Sequence, residues 1–281
     1  MPTVQLSTVA IDYEDTGGNL PIVVLLHGLL MDGSLWSEVT PRLAGQYRCV
    51  VPTLPLGGHR QPLSAEADCT MRGLAKMVIE FLAALNLSDV VLVGNDTGGA
   101  LAQLVLTEDR SRVGKAVLIA CDTYDNLPPG VSGKALTMTG KLPPAAFGMF
   151  MQQLRLKPMR RLPISFGWLT KRGDGITRQW LAPIWSQSAI RADTVRVLRN
   201  IFRDRDVLNQ AAVGFGVVPI PVLVVWASDD KIMPRDDGRR LAEAFPRGSY
   251  VEVADSYTLI PLDQPEVLVE ALRQFEHASS D

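Results

Sequence analysis

A chain of 281 residues with 47% hydrophobic and 21% charged residues can bury one large core, with or without a small inserted domain, and is not a disordered polymer. A formal net charge of −2 gives no reason to expect nucleic acid or an anionic membrane as partner. Cys49, Cys69 and Cys121 lack metal-binding spacing, are odd in number and sit among apolar residues, so they read as buried thiols of a reducing compartment. Met1 leads into polar–apolar alternation with no signal-peptide pattern and no long apolar span, which places the expected location in the cytoplasm.

Val4–Asp15 alternates as a strand and turns back at Thr16–Asn19. The continuous apolar run Pro21–Leu26 has the character of a strand buried on both faces of a parallel sheet, and it ends in His27-Gly28-Leu29-Leu30. Leu35–Leu43 reads as a helix, Arg48–Val51 as a strand, and Pro52–Ser64 as a Pro- and Gly-rich loop. Thr70–Leu85 carries Leu74, Met77, Val78, Phe81, Leu82 and Leu85 at helical spacing. It delivers the chain to Val90–Leu106, where an apolar run breaks at Gly94-Asn95-Asp96-Thr97-Gly98 and resumes as a helix. That is the G-x-nucleophile-x-G spacing of a nucleophile elbow with aspartate at its centre. The turn strains its central residue and admits only small neighbours, so Asp96 would project above the sheet edge, near the free amides of the next helix. The competing reading is an aspartate N-cap on an ordinary strand-to-helix turn.

Val113–Ala120 is a further strand. Asp122–Pro219 then loses strand-like runs and gains Met, Trp, Phe, Pro and Arg, with helices predicted over Pro143–Arg155, Leu181–Phe202 and parts of Arg205–Val213. Nearly a hundred residues between two strands is too long for a normal crossover and fits a helical insertion over one end of the sheet. Pro221–Trp226 and Ser249–Val253 read as strands, and Asp236–Phe245 and Gln264–His277 as helices. The repeated strand–helix units imply a doubly wound, mostly parallel α/β sheet, whose ligands bind beyond the C-terminal strand ends. His27-Gly28, Gly57-Gly58-His59, Asp96, Asp122 and Asp229-Asp230 all fall at that edge.

These motifs resemble the α/β-hydrolase fold, in the branch of haloalkane dehalogenases and epoxide hydrolases. The resemblance rests on the HG turn at His27-Gly28, the elbow around Asp96, Trp226–Pro234 (WASDDKIMP) and Ala254–Glu266 (ADSYTLIPLDQPE). It implies a core of residues 1–122 and 220–281 with a helical cap at 123–219. It also implies that Asp96 is the nucleophile and Asp230 the histidine-orienting acid, with Asp229 as competitor and Asp122 as the other position that can supply the acid. The amides of Leu29 and Thr97 would form the oxyanion hole.

The family's histidine position holds Thr258, beside Tyr257, and threonine cannot act as an ordinary general base. Of the three histidines, His27 fits a structural role before the oxyanion turn and His277 an exposed tail. His59 is the substitute candidate for catalysis or substrate binding, against a loop-bracing role. Thr97 and Leu29 stand where haloalkane dehalogenases grip the halide with Trp and Asn side chains, which disfavours dehalogenation. The cap region offers Tyr124 only near its start, which weakens epoxide hydrolysis. Trp168, Trp180 and Trp185 can each offer an N–H but no transferable proton.

Three readings follow: hydrolysis of an ester, epoxide or related bond with a rearranged site; a lyase, isomerase or cyclase using Asp96 as base or electrostatic group; or an inactive ligand-binding protein. The expected substrate is a small to medium apolar molecule, with Trp36, Phe147, Tyr257 and Thr258 as candidate contacts, though Trp36 and the Phe147 cluster also fit plain packing. Lys157–Arg161 (KPMRR) reads as a solvated basic stretch. No metal or organic cofactor is implied, and a homodimer is left open.

Overall fold

The computed structural model describes residues 1–278, so the last three positions of the expected 220–281 core segment lie outside the described residues. Strands β1 (Thr3–Gln5) and β2 (Ala10–Asp15) form an antiparallel hairpin. They are followed by β3 (Ile22–Leu26), a 3-10 turn at Gly33–Trp36, α1 (Thr40–Leu43) and β4 (Arg48–Pro52). Helix α2 (Met71–Ala84) leads to β5 (Val90–Asn95), α3 (Thr97–Glu108) and β6 (Val113–Ile119).

Between β6 and the next strand the regular elements of the described chain are all helical. These are α4 (Gly130–Thr139), α5 (Pro144–Gln152), α6 (Lys157–Arg160), α7 (Asp174–Trp180), α8 (Ala182–Ser186), α9 (Ser188–Asn200) and α10 (Val207–Ala212), with short 3-10 turns among them. The chain closes with β7 (Val222–Ala227), α11 (Arg235–Glu243), β8 (Gly248–Val253), α12 (Ile260–Asp263) and α13 (Pro265–Ala278).

The sheet order is β1-β2-β4-β3-β5-β6-β7-β8, parallel from β4 to β8 and antiparallel at the β1–β2 and β2–β4 pairings. This is the doubly wound, mostly parallel architecture that the alternating apolar runs predict. Every residue of β5 and β7 is buried, as helices on both faces require. Strand β3 pairs with β4 on one side and β5 on the other, so the order of connection reverses there, and crevices beyond the strand ends form at such reversals. The register sets Leu26 beside Gly94, Asn95 beside Ile119 and Ile119 beside Val225. His27, Asp96, Asp122 and Asp230 therefore emerge along one edge.

Several predicted elements are corrected. Val4–Asp15 is two strands, because the chain turns at Ser7-Thr8, where Leu6 N–H donates to Val9 and Glu80 accepts from Ser7. The helix expected over Leu35–Leu43 is a 3-10 turn plus one α-turn: Pro41 has no N–H for a continuous helix and instead sits in the first turn of α1. Leu181–Phe202 is split by extended Gln187 into α8 and α9. Helix α4 goes unanticipated because its glycines, serine and threonines have weak helix propensity.

The helical stretch is stitched to the loops at the C-terminal edge of the parallel strands. Trp180 Nε1 donates to Ser34 Oγ (2.9 Å), Leu63 N to Asp193 Oδ2 (2.9 Å) and Leu259 N to Leu169 O (2.8 Å). Its buried Phe147, Trp180 and Phe215 belong to the same continuous apolar core as the strands.

Candidate active site

Asp96 sits between β5 and α3 with φ 56° and ψ −130°, a conformation that costs a non-glycine residue about 1–3 kcal/mol and persists only where its surroundings enforce it. Two glycines enforce it. A Cβ on Gly94 would strike the backbone of Gly98, and one on Gly98 would strike the carbonyls of Leu26 and His27. Gly28, in the HG turn, packs against Asp96 so closely that a Cβ there would collide with the carboxylate.

The Asp96 carboxylate occupies the expected oxyanion hole. Its Oδ1 accepts from Thr97 N (2.6 Å) and Thr97 Oγ1 (3.0 Å), and the Leu29 amide also donates to the carboxylate. Burial raises the Asp96 pKa above the usual carboxylate value, and these donors pull the other way. Asp122, after β6, lies with Oδ2 3.4 Å from Thr97 Oγ1, while its Oδ1 is buried without a hydrogen-bond partner. Burial, then the neighbouring charge of Asp96, pushes the Asp122 pKa well up. One hydroxyl proton serves one acceptor at a time, so the Thr97 hydroxyl, donating to Asp96 at 3.0 Å, can be hydrogen-bonded to Asp122 at 3.4 Å only when Asp122 carries a proton.

Asp230 follows β7. Its Oδ1 accepts from Ile232 N (2.8 Å), Met233 N (2.9 Å) and Thr258 Oγ1 (2.9 Å), while Oδ2 is buried without a partner. Burial raises its pKa to about 6 against those donors. Thr258 is fully buried, and its carbonyl accepts from Asn95 Nδ2 (2.8 Å), tying the C-terminal loop to the elbow. Asp229 instead pairs with Lys171 (2.6 Å) at the surface, which holds its carboxyl below the usual range.

The histidines have other partners. His27 Nδ1 lies 2.9 Å from Gly28 O and Nε2 accepts from Leu54 N (2.9 Å), so the ring is the neutral Nδ1–H tautomer. Burial lowers its pKa to about 4. His59 is buried, with Nδ1 accepting from Gly57 N (3.2 Å) and Nε2 3.8 Å from Asp193 Oδ2 of α9. That geometry braces its loop against the helical stretch. His277 lies in the last turn of α13.

An apolar cavity of about 130 Å³ is lined by Leu29 and Leu30 of the HG turn and by Leu136, Phe150, Met151 and Phe166; Asp96 is not among its walls, and Leu29, whose amide donates to Asp96, links the two. Trp36 and Phe147 are wholly buried in the core and do not line it. Tyr257 faces the ammonium groups of Lys171 and Lys231 (5.1 and 5.8 Å), and Thr258 lies under Asp230. The walls contributed by α4 escape sequence reading for the same reason as the helix itself. Among the described residues no group of three or more His, Cys, Asp or Glu could hold a metal ion. All three cysteines are buried and free, with burial raising the thiol of Cys49 to about 11 and that of Cys121 well above its ordinary value.

The family model of the alpha/beta hydrolase fold matches residues 21–265. The chain belongs to the α/β-hydrolase family. This α/β-hydrolase is 23% identical to the uncharacterized hydrolase YugF of Bacillus subtilis (strain 168), over 90% of this chain and 89% of the relative. It is 27% identical to a pimeloyl-[acyl-carrier protein] methyl ester esterase of Aeromonas salmonicida (strain A449), over 92% and 96%. The structure of an ancestral haloalkane dehalogenase, AncHLD2, superposes with a TM-score of 0.78 at 17% identity, covering all of both chains.

Proposed function

We propose that this α/β-hydrolase is an enzyme that acts on a small to medium apolar substrate through Asp96, hydrolysing an ester, epoxide or related bond. Residues 1–122 and 220–281 serve as the core and 123–219 as a helical cap over the site. The observation that carries the reading is the position of Asp96: strained at the elbow, with its carboxylate held by the Thr97 and Leu29 amides, and with Leu29 also lining an apolar cavity. Because the Asp96 carboxylate fills the hole, a substrate carbonyl has no place there. Attack by Oδ2 on a saturated electrophilic carbon suits this arrangement best: in an activated alkyl compound the C–X bond breaks and X leaves as a stable anion, whereas the alkoxide released from an epoxide must take its proton from water. The new ester's carbonyl oxygen, Oδ1, would then already lie against the Thr97 amide, ready to take charge when water attacks.

With Thr258 in place of histidine, Asp230 is the base this site offers for that second step. Its pKa of about 6 leaves it ionised at neutral pH with Oδ2 uncommitted. Turnover of a panel of epoxides, activated alkyl compounds and esters tests the reading. Loss of activity by about 1,000-fold or more in Asp96→Ala supports it, and unchanged turnover in that variant refutes it.

A second reading, proton abstraction in a lyase, isomerase or cyclase, is favoured by the raised pKa values of Asp96 and Asp122 under an apolar lining. Solvent deuterium entering a carbon acid without net cleavage distinguishes it.

A further inference from the structure

The whole-chain charge of −2 conceals a strong local asymmetry. Residues 126–173 contain eight Lys or Arg (Lys134, Lys141, Arg155, Lys157, Arg160, Arg161, Lys171 and Arg172) and no Asp or Glu in 48 residues. Some of these cations serve the fold: Arg160 is buried against Asp174, and Lys171 and Arg172 pair with Asp255. Lys134, Lys141, Arg155, Lys157 and Arg161 are exposed, and the nearest of their carboxylate pairings is Lys157 to Asp174 at 3.8 Å.

The same stretch exposes seven large apolar side chains: Val131 (51%), Met138 (69%), Met149 (71%), Phe150 (40%), Leu156 (62%), Leu162 (39%) and Ile164 (48%). Isolated exposed apolar residues are ordinary, but these gather on one short stretch of chain. Three of them, Phe150, Leu162 and Ile164, also line the apolar cavity, so its walls run out into the exposed apolar surface. Apolar side chains interleaved with cations and free of acids match a surface that is negatively charged outside and hydrocarbon beneath.

We infer that the α4–α6 face of the cap docks on an anionic lipid bilayer, with Met138, Met149 and Leu156 entering the interface and Lys134, Lys141, Arg155, Lys157 and Arg161 meeting lipid phosphates. No helix among the described residues is long and apolar enough to cross a membrane, so the contact is peripheral. The docked orientation turns the cavity mouth toward the bilayer. If the proposed hydrolysis holds, the substrate is then a membrane-dissolved apolar molecule that reaches Asp96 without crossing water.

The test is sedimentation of the full chain with vesicles of phosphatidylcholine alone or with 30% phosphatidylglycerol (about a third anionic, in the range where polybasic attraction operates). The expected result is binding to the anionic vesicles that weakens with salt. The double variant Lys134→Glu/Lys141→Glu should lower partitioning by about 20-fold or more. The triple variant Met138→Ser/Met149→Ser/Leu156→Ser should lower binding even at low salt.

Absence of wild-type binding to anionic vesicles overturns the inference. So does binding that both sets of substitutions leave unchanged, or a self-associated dimer that hides this face and is dispersed by the triple variant. Circular dichroism of each variant confirms that a loss is not unfolding. Asp96→Ala should bind vesicles as wild type does, so failure of docking and failure of the catalytic reading are read separately.

Discussion

Thr258 Oγ1 donates a 2.9 Å hydrogen bond to Asp230 Oδ1, so the acid has a hydroxyl partner where the proposed reading expects an imidazole. Asp230 Oδ2 is left buried and unpartnered. Installing an imidazole at this position is therefore informative. Thr258→His should speed breakdown of an Asp96 ester by about 100-fold, the usual worth of a positioned general base. Overpacking at this buried site should cost about 1–3 kcal/mol of stability. Single-turnover kinetics measure the first effect and denaturant titration the second.

Asp230 makes stability depend on pH in a defined direction. Its pKa of about 6 lies above the value near 4 of an unfolded aspartate, so the native state binds the proton more tightly. The stabilising contribution is complete below about pH 4 and disappears as pH rises through 6. Asp230→Asn removes this dependence while keeping an acceptor for the Ile232 and Met233 amides. Relative to wild type, the variant should therefore gain about 2 kcal/mol between pH 4 and pH 7.5, read as thermal or denaturant midpoints.

Gly28→Ala separates the elbow from the fold. The added methyl meets only the Asp96 carboxylate among its closest atoms, so it should displace that group rather than the sheet. Activity should fall by about 100-fold or more while the native circular dichroism is retained, since a displacement near 1 Å at the reacting group has that scale of effect.

His27 should prove structural. Its Nε2 accepts from the buried Leu54 amide, and its pKa of about 4 keeps it neutral throughout the working range. His27→Ala should cost about 1–3 kcal/mol of stability for the orphaned amide. The residual activity should show an unchanged pH profile between 5.5 and 8.

Apolar patterning made the sheet legible in advance: β3, β5, β6 and β7 are short runs that only a doubly covered parallel sheet explains, and the glycines around Asp96 announce its turn. The walls of the cavity were far less visible. Helix α4 lacks the composition of a good helix, and Leu136 acquires its place only through packing against distant segments. Trp36 and Phe147 have the composition of pocket residues, yet the core absorbs both. The choice between Asp229 and Asp230 depends on a surface lysine 58 residues away in sequence, which no local pattern encodes.

The most direct measurement is the intact mass of the protein, followed by peptide mapping, after exposure to epoxides and activated alkyl compounds. The expected result is a covalent ester on the peptide containing Asp96 that is absent from Asp96→Ala and short-lived in Thr258→His. Reaction that gives product with no adduct at any time, or an adduct that survives in Asp96→Ala, would contradict it.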